Sequence, residues 1–104
     1  MIGLMMMLAA VTGADSRCSA RVDFIAPTQV VIDTPDMAMK IAEIYLAKFY
    51  GADVMKKELP LNVSLEGEVW HLTGKALPKL SLGGVAEITL CRSNGQVLSI
   101  MHGD

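Results

Sequence analysis

At 104 residues, 52% of them hydrophobic, and with a formal net charge of −2, the chain has room for one small domain. It carries neither the basic footprint of a nucleic-acid binder nor an acidic tail. A domain of this size buries only about 60 to 65% of its unfolded surface, so a covalent staple between Cys18 and Cys91, its two cysteines, would be of real use.

The first fourteen residues, MIGLMMMLAAVTGA, carry no charge. Their apolar run from Ile2 to Val11, with Thr12 and Ala14 at the cleavage-site spacing, reads as a secretory signal peptide over 1–14 that leaves Asp15 first; the basic n-region usual in such leaders is missing. The run falls short of the roughly 18 apolar residues that span a bilayer. In "DSRC" an arginine and a serine stand where lipoprotein processing needs small residues before Cys18. No stable membrane anchor is therefore expected, and the compartment is periplasmic or extracellular. There Cys18 and Cys91 can pair; the alternative is a buried thiol at Cys91 and a loose one at Cys18.

Residues 15–33 read as an N-terminal arm of mixed polarity without a sustained period, in which "QVVID" either adds an edge strand or leads into a helix. The strongest local signal follows. Thr34 is an N-cap, Pro35 takes the first helical position, Asp36 sits at the positive end of the dipole and Gly51 stops the run, giving a helix over 35–50. Met37, Ile41, Tyr45 and Phe49, with Ala38, Ala42 and Leu46 beside them, form an apolar arc wider than one sheet contact requires. A short second helix over 52–58, ended by Pro60, is expected to cover part of it.

From Leu61 the period changes to two. Strands are expected at 61–66, 68–75, 85–92 and 96–102, with a tight turn at Glu66-Gly67 and a primed hairpin turn at Asn94-Gly95. Short links make this an antiparallel meander. Alternation points Leu61, Val63, Leu65, Trp70, Leu72, Ala86, Ile88, Leu90, Leu98 and Ile100 toward the helix. It leaves Asn62, Ser64, Glu66, His71, Thr73, Glu87, Thr89, Cys91, Ser99 and Met101 on the reverse face, with Val69, Val85 and Val97 among them. The domain, 34–104, is thus α+β: one main helix on a curved four-stranded sheet.

Catalytic chemistry finds little footing. Gly83-Gly84 precedes a strand rather than a helix and lacks a following lysine with serine or threonine, so it reads as a bend and not a phosphate loop. His71 points outward and His102 toward the core side, so the two histidines do not converge on a metal. Cys91 and His71 share a face but lack an orienting third group. Glu66 and Glu68 flank a turn and read as wet surface charge, and Trp70 reads as a core anchor. No catalytic residue, metal or cofactor is expected.

Three stretches, "TPDMAMKIAEIYLAKFYG", "LPLNVSLEGEVWHLTGKAL" and "LGGVAEITLCRSNGQVLSIMHG", together resemble the nuclear-transport-factor-2-fold immunity proteins of the YbbC/YhhH type. The likeness rests on the A-x-K-I-A-E helix ending in Tyr50-Gly51, the Glu-x-x-Trp that carries Trp70, the Gly83-Gly84-Val85-Ala86 lead-in and the closing His102-Gly103. It implies a cystatin-like sheet curled around a helix, and an inhibitor that protects its producer by binding a cognate protein toxin. On that reading the reverse face or the sheet edge, with His71, Thr73, Glu87, Thr89 and Met101, occludes the toxin. The rivals are a small-ligand carrier or enzyme of the same cone-like fold, which needs an enclosed polar-lined pocket, and a secreted peptidase-inhibitor module.

Overall fold

The computed structural model describes residues 15–23, 26, 29–75 and 84–103. The expected leader, 1–14, and Gly83 lie outside the described residues. Two helices, α1 (Pro35–Tyr50) and α2 (Ala52–Lys56), precede four strands, β1 (Asn62–Glu66), β2 (Val69–Thr73), β3 (Ala86–Cys91) and β4 (Val97–His102). The strands pair antiparallel in the order β1-β2-β3-β4, the expected meander, each one to three residues shorter than its sequence pattern, while α1 keeps the expected bounds.

Local chemistry sets the ends of α1. The Thr34 hydroxyl accepts a hydrogen bond from the Met37 N–H, Pro35 opens the first turn, and the Gly51 N–H donates to the Ala47 carbonyl. The buried stripe is Ala38, Ala42 and Leu46, with Ile41 and Tyr45 half-buried at its margin. Met37 and Phe49, expected to lead that stripe, are exposed. Small alanines let the helix approach the sheet closely, and this centres the contact on their side of the arc. Ile44, on the opposite side, is 70% exposed.

The sheet's helix-facing side is built from cross-strand rows. Val63, Leu72, Ile88 and Ile100 form one, and Leu65, Trp70, Leu90 and Val97 the next. Leu72, Ile88 and Leu90 are fully buried, and the Trp70 indole N–H donates to the Ile32 carbonyl at 3.0 Å. Two expectations fail here. Leu65, at the end of edge strand β1, has no strand beyond it and is exposed. Val97, not Leu98, faces the helix: the register shifts so that Leu90 pairs with Val97 and Thr89 with Ser99, leaving Leu98 as the extra residue of a bulge.

The "QVVID" stretch leads into α1 without becoming a strand. The Val31 and Ile32 N–H groups donate to the Ser93 and Arg92 carbonyls at the β3–β4 turn, and Ile32 is fully buried beneath them. At the other end of the sheet Gly84 takes a φ of 71°, the left-handed region that glycine enters without a Cβ penalty, just before β3 begins. That conformation agrees with a bend there.

Candidate functional site

The reverse face carries two polar rows that run the width of the sheet. Register places Ser64, His71, Thr89 and Ser99 side by side, and next to them Asn62, Thr73, Glu87 and Met101. All five residues expected to meet a partner, His71, Thr73, Glu87, Thr89 and Met101, therefore lie in one continuous patch. Glu87 and Met101 are exposed and the other three half-buried.

Within the patch, the Thr89 and Ser99 hydroxyls share a hydrogen bond of 2.7 Å. His71 Nε2 lies 3.3 Å from Glu66 Oε1, an ion pair only when the imidazole is protonated. The remaining hydrogen-bonding capacity of these side chains is turned outward. Hydroxyl, imidazole and carboxylate side by side on a pleated surface can recognise a polypeptide.

A third row closes the patch at one end. Val69 pairs with Cys91, and both are buried although they lie on the reverse face. Val69 is one of the apolar residues expected among the polar ones on this face, and at Cys91 the burial comes with the arm. A disulfide joins Cys18 to Cys91, with Cα atoms 5.7 Å apart and a sequence separation of 73. The side-chain amide of Gln96 accepts from the Ser19 and Ala20 N–H groups at 3.0 Å, and Asn94 Nδ2 donates to the Ala20 carbonyl at 2.8 Å. The hairpin turn and a sulfur bridge thus fasten the arm across the end of the face. With its sulfur in that bridge, Cys91 offers no thiolate for His71 to activate.

The opposite side of the sheet holds a cluster that the sequence did not announce. Glu58 follows α2 and is buried. Its Oε1 accepts from the Ala86 N–H at 2.8 Å, and its Oε2 lies 3.0 Å from His102 Nε2, whose ring meets Tyr50 at a centroid distance of 5.1 Å. The backbone of Glu58 joins in, since its carbonyl accepts from the Lys75 N–H at 2.7 Å. Gly74 and Ala86, hydrogen-bonded neighbours at the ends of β2 and β3, leave the space for this carboxylate. A Cβ at Gly74 would collide with the Glu58 side chain. His102 does lie on the core side, as expected, and away from His71. The cluster ties the helical layer to one end of the sheet's last two strands, where β3 begins and β4 finishes, a positioning role.

Lys40, Glu43, Ile44, Ala47, Met55 and Leu59 line part of a groove of about 510 Å³ between α1 and α2. It is open and mostly apolar, unlike the enclosed polar-lined chamber that a small-ligand enzyme of this fold would need.

Residues 37–104 match the family described as NTF2 fold immunity protein. The chain belongs to that family. The YbbC protein of Escherichia coli (strain K12) is 34% identical over 71 residues, 68% of this chain and 58% of YbbC. The YhhH protein of the same strain is 30% identical over 67 residues, 64% of this chain and 53% of YhhH. The chain thus spans a little over half the length of these curated relatives. No solved structure matches significantly. The matched segment of this immunity protein contains α1, α2 and all four strands, with both the polar patch and the Glu58 cluster. Cys18 and the rest of the arm lie before it. Membership supports an immunity function in general terms; which toxin is met, where and through which surface are separate questions.

Proposed function

We propose that the chain neutralises a protein toxin outside the cytoplasm by covering it with the reverse face of the sheet. The observation that carries this reading is the pair of adjacent polar rows, four strands wide, on a member of the NTF2-fold immunity family. A standard interface takes about 800 Å² from each partner and is anchored by a few central residues. His71 and Thr89, opposite one another on the two inner strands, are those central residues, with Glu87 and Thr73 beside them and Met101 as an apolar contact at the margin.

The Cys18–Cys91 bridge supports that compartment, because a disulfide that holds a structural segment persists in an oxidising space such as the periplasm. The expected leader agrees with that address. The arm serves the interface indirectly: bridged to Cys91, it occupies one end of the face and leaves the polar rows for the partner.

The test is growth rescue. The gene adjacent to the one encoding this chain, if it specifies a toxin, is expressed for export with and without it. Rescue by the exported chain, weakened by His71→Ala with Glu87→Ala, is the expected result. Rescue that needs no export, or that survives both substitutions unchanged, would remove respectively the proposed compartment and the proposed surface.

A further inference from the structure

The two strands at the margins of the sheet differ in how they treat their outer edge. β4 is interrupted by the bulge at Leu98, a feature that spoils an edge for further pairing. β1 has no such defence: its five residues, Asn62–Glu66, contain no proline, no lysine and no bulge.

The phase of the ladder decides which groups that edge presents. The Gly74 N–H donates to the Ala86 carbonyl and the Arg92 N–H to the Glu68 carbonyl, so even-numbered residues in and beside β2 turn their backbone groups toward β3. The odd-numbered ones, Val69, His71 and Thr73, therefore bond to their β1 partners Glu66, Ser64 and Asn62. Between these, Val63 and Leu65 turn their N–H and C=O groups outward, where no described residue meets them. Leu65, on the helix-facing side, is 44% exposed for want of a neighbouring strand.

A strand of the same phase completes such an edge, and β1 itself has that phase. Turned antiparallel about a two-fold axis through Ser64, β1 sets Val63 of one copy opposite Leu65 of the other, and each such pair exchanges both of its backbone hydrogen bonds. The same axis places Glu66 opposite Asn62 rather than opposite another carboxylate. It covers Leu65 with a valine, and Ser64 meets Ser64 in the closely spaced position of the ladder. A foreign strand would not require this match of β1 with itself. Nor does α1 stand in the way, because it contacts β1, β2 and β3 alike and so lies over β2. The two β2 strands would be three inter-strand spacings apart, about 14 Å, against the roughly 8 to 10 Å at which helices pack.

We infer that a second copy of this chain docks on the β1 edge, making one two-fold-symmetric sheet of eight strands. Its reverse face joins the rows of Ser64, His71, Thr89 and Ser99 from both copies end to end across the axis. The pairing belongs to the edge and does not depend on what the face binds.

Two experiments on the purified, disulfide-bonded chain test it. Sedimentation velocity from about 1 µM to 1 mM should show a concentration-dependent dimer. Leu65→Pro, which deletes an outward N–H that β2 does not use, should weaken that dimer about tenfold or more. Ser64→Cys, oxidised in air, should give two chains cross-linked at residue 64 in peptide mapping with the Cys18–Cys91 bridge intact, because the Cα spacing of about 4.5 Å at that position is within disulfide reach. Glu87→Cys, exposed on the same face but two strands from the axis, should not cross-link. A wild-type chain that stays monomeric throughout, a dimer indifferent to Leu65→Pro, or the absence of a cross-link at residue 64 overturns the inference. So does a monomeric wild type whose Leu65→Pro variant loses toxin binding, which would assign the edge to a strand of the toxin.

Discussion

The two faces of the sheet handle polar groups in opposite ways. Toward the helices a single carboxylate among the described residues is buried, and each of its oxygens has a partner, the Ala86 N–H and the His102 ring. On the reverse face hydroxyls, an imidazole and carboxylates stand at the surface with most of their capacity turned to water. A buried polar group is tolerated only when paired and then fixes geometry, whereas an exposed one stays free to exchange water for a partner. The first face therefore holds the fold, and the second can bind.

Each face also has one long-range fastener, and the two act on different states. The Cys18–Cys91 bridge works largely by restricting the unfolded chain, whose closed loop spans 73 residues. In the chain-entropy picture such a loop is worth about 4 kcal/mol. The paired Cys18→Ser, Cys91→Ser variant is accordingly expected to lose up to about 4 kcal/mol in urea unfolding, the largest effect of any change named here. An equal denaturation midpoint for the variant and the parent would mean that the arm adds nothing to the fold.

Glu58 acts on the folded state. Glu58→Ala leaves the Ala86 N–H and the His102 ring without their partner and empties the space above Gly74. The expected loss is about 3 kcal/mol. Glu58→Gln keeps an acceptor for Ala86 and should cost about 1 kcal/mol. These losses should be the same in the bridged chain and in the double-serine variant, because the two fasteners share no residues. Strong non-additivity would show that the faces are coupled.

How much of this could be read beforehand depends on whether the signal was local. Thr34, Pro35 and Gly51 bound α1 through contacts within a turn, and alternation through Trp70, Leu72 and Ile88 set the inner face, so both were legible. Glu58 was not: its side-chain partners lie 28 and 44 residues away, and nothing near it in sequence marks a buried acid. The bulge at Leu98 was equally hidden, since Val97 and Leu98 are both apolar and either fits the inner face. Gly74 beside Ala86, two small residues where a strand would ordinarily carry bulk, was the one available hint that something else fills that space. The reverse-face residues were legible as a set because a period of two sorts faces without knowing the fold, although the same rule could not foresee that Val69 on that face would be buried.

The reverse face should then show the opposite sensitivity. His71→Ala and Glu87→Ala are each expected to change stability by no more than about 0.5 kcal/mol. Each is expected to weaken toxin binding about tenfold or more in calorimetry. The Thr89–Ser99 hydrogen bond lies between these extremes, being half-buried at 2.7 Å. A double-mutant cycle through Thr89→Ala and Ser99→Ala should return a coupling of about 0.5 to 1 kcal/mol. A coupling near zero would mean that both hydroxyls bond equally well to water and that the row is held by backbone pairing alone.

The smallest effect concerns the arm. The Arg17 side chain hydrogen-bonds the Asp15 carboxylate and its backbone N–H adds a second bond, which together lower the Asp15 pKa from 3.8 to about 2. A depressed carboxylate contributes stability above its unfolded value, and that contribution fades as the pH falls through the folded value. The window thus runs from about pH 4 down to about pH 2. Yet Arg17 is only two residues from Asp15, so much of the same pair forms whether or not the rest of the domain is folded. Arg17→Ala should therefore return the Asp15 carboxyl toward 3.8 in a carbon-13 titration while leaving the denaturation midpoint at neutral pH unchanged. If the midpoint falls instead, Arg17 is helping to seat the arm, and the grip on residues 18–20 begins earlier in the chain than the bridge and the amides of Asn94 and Gln96.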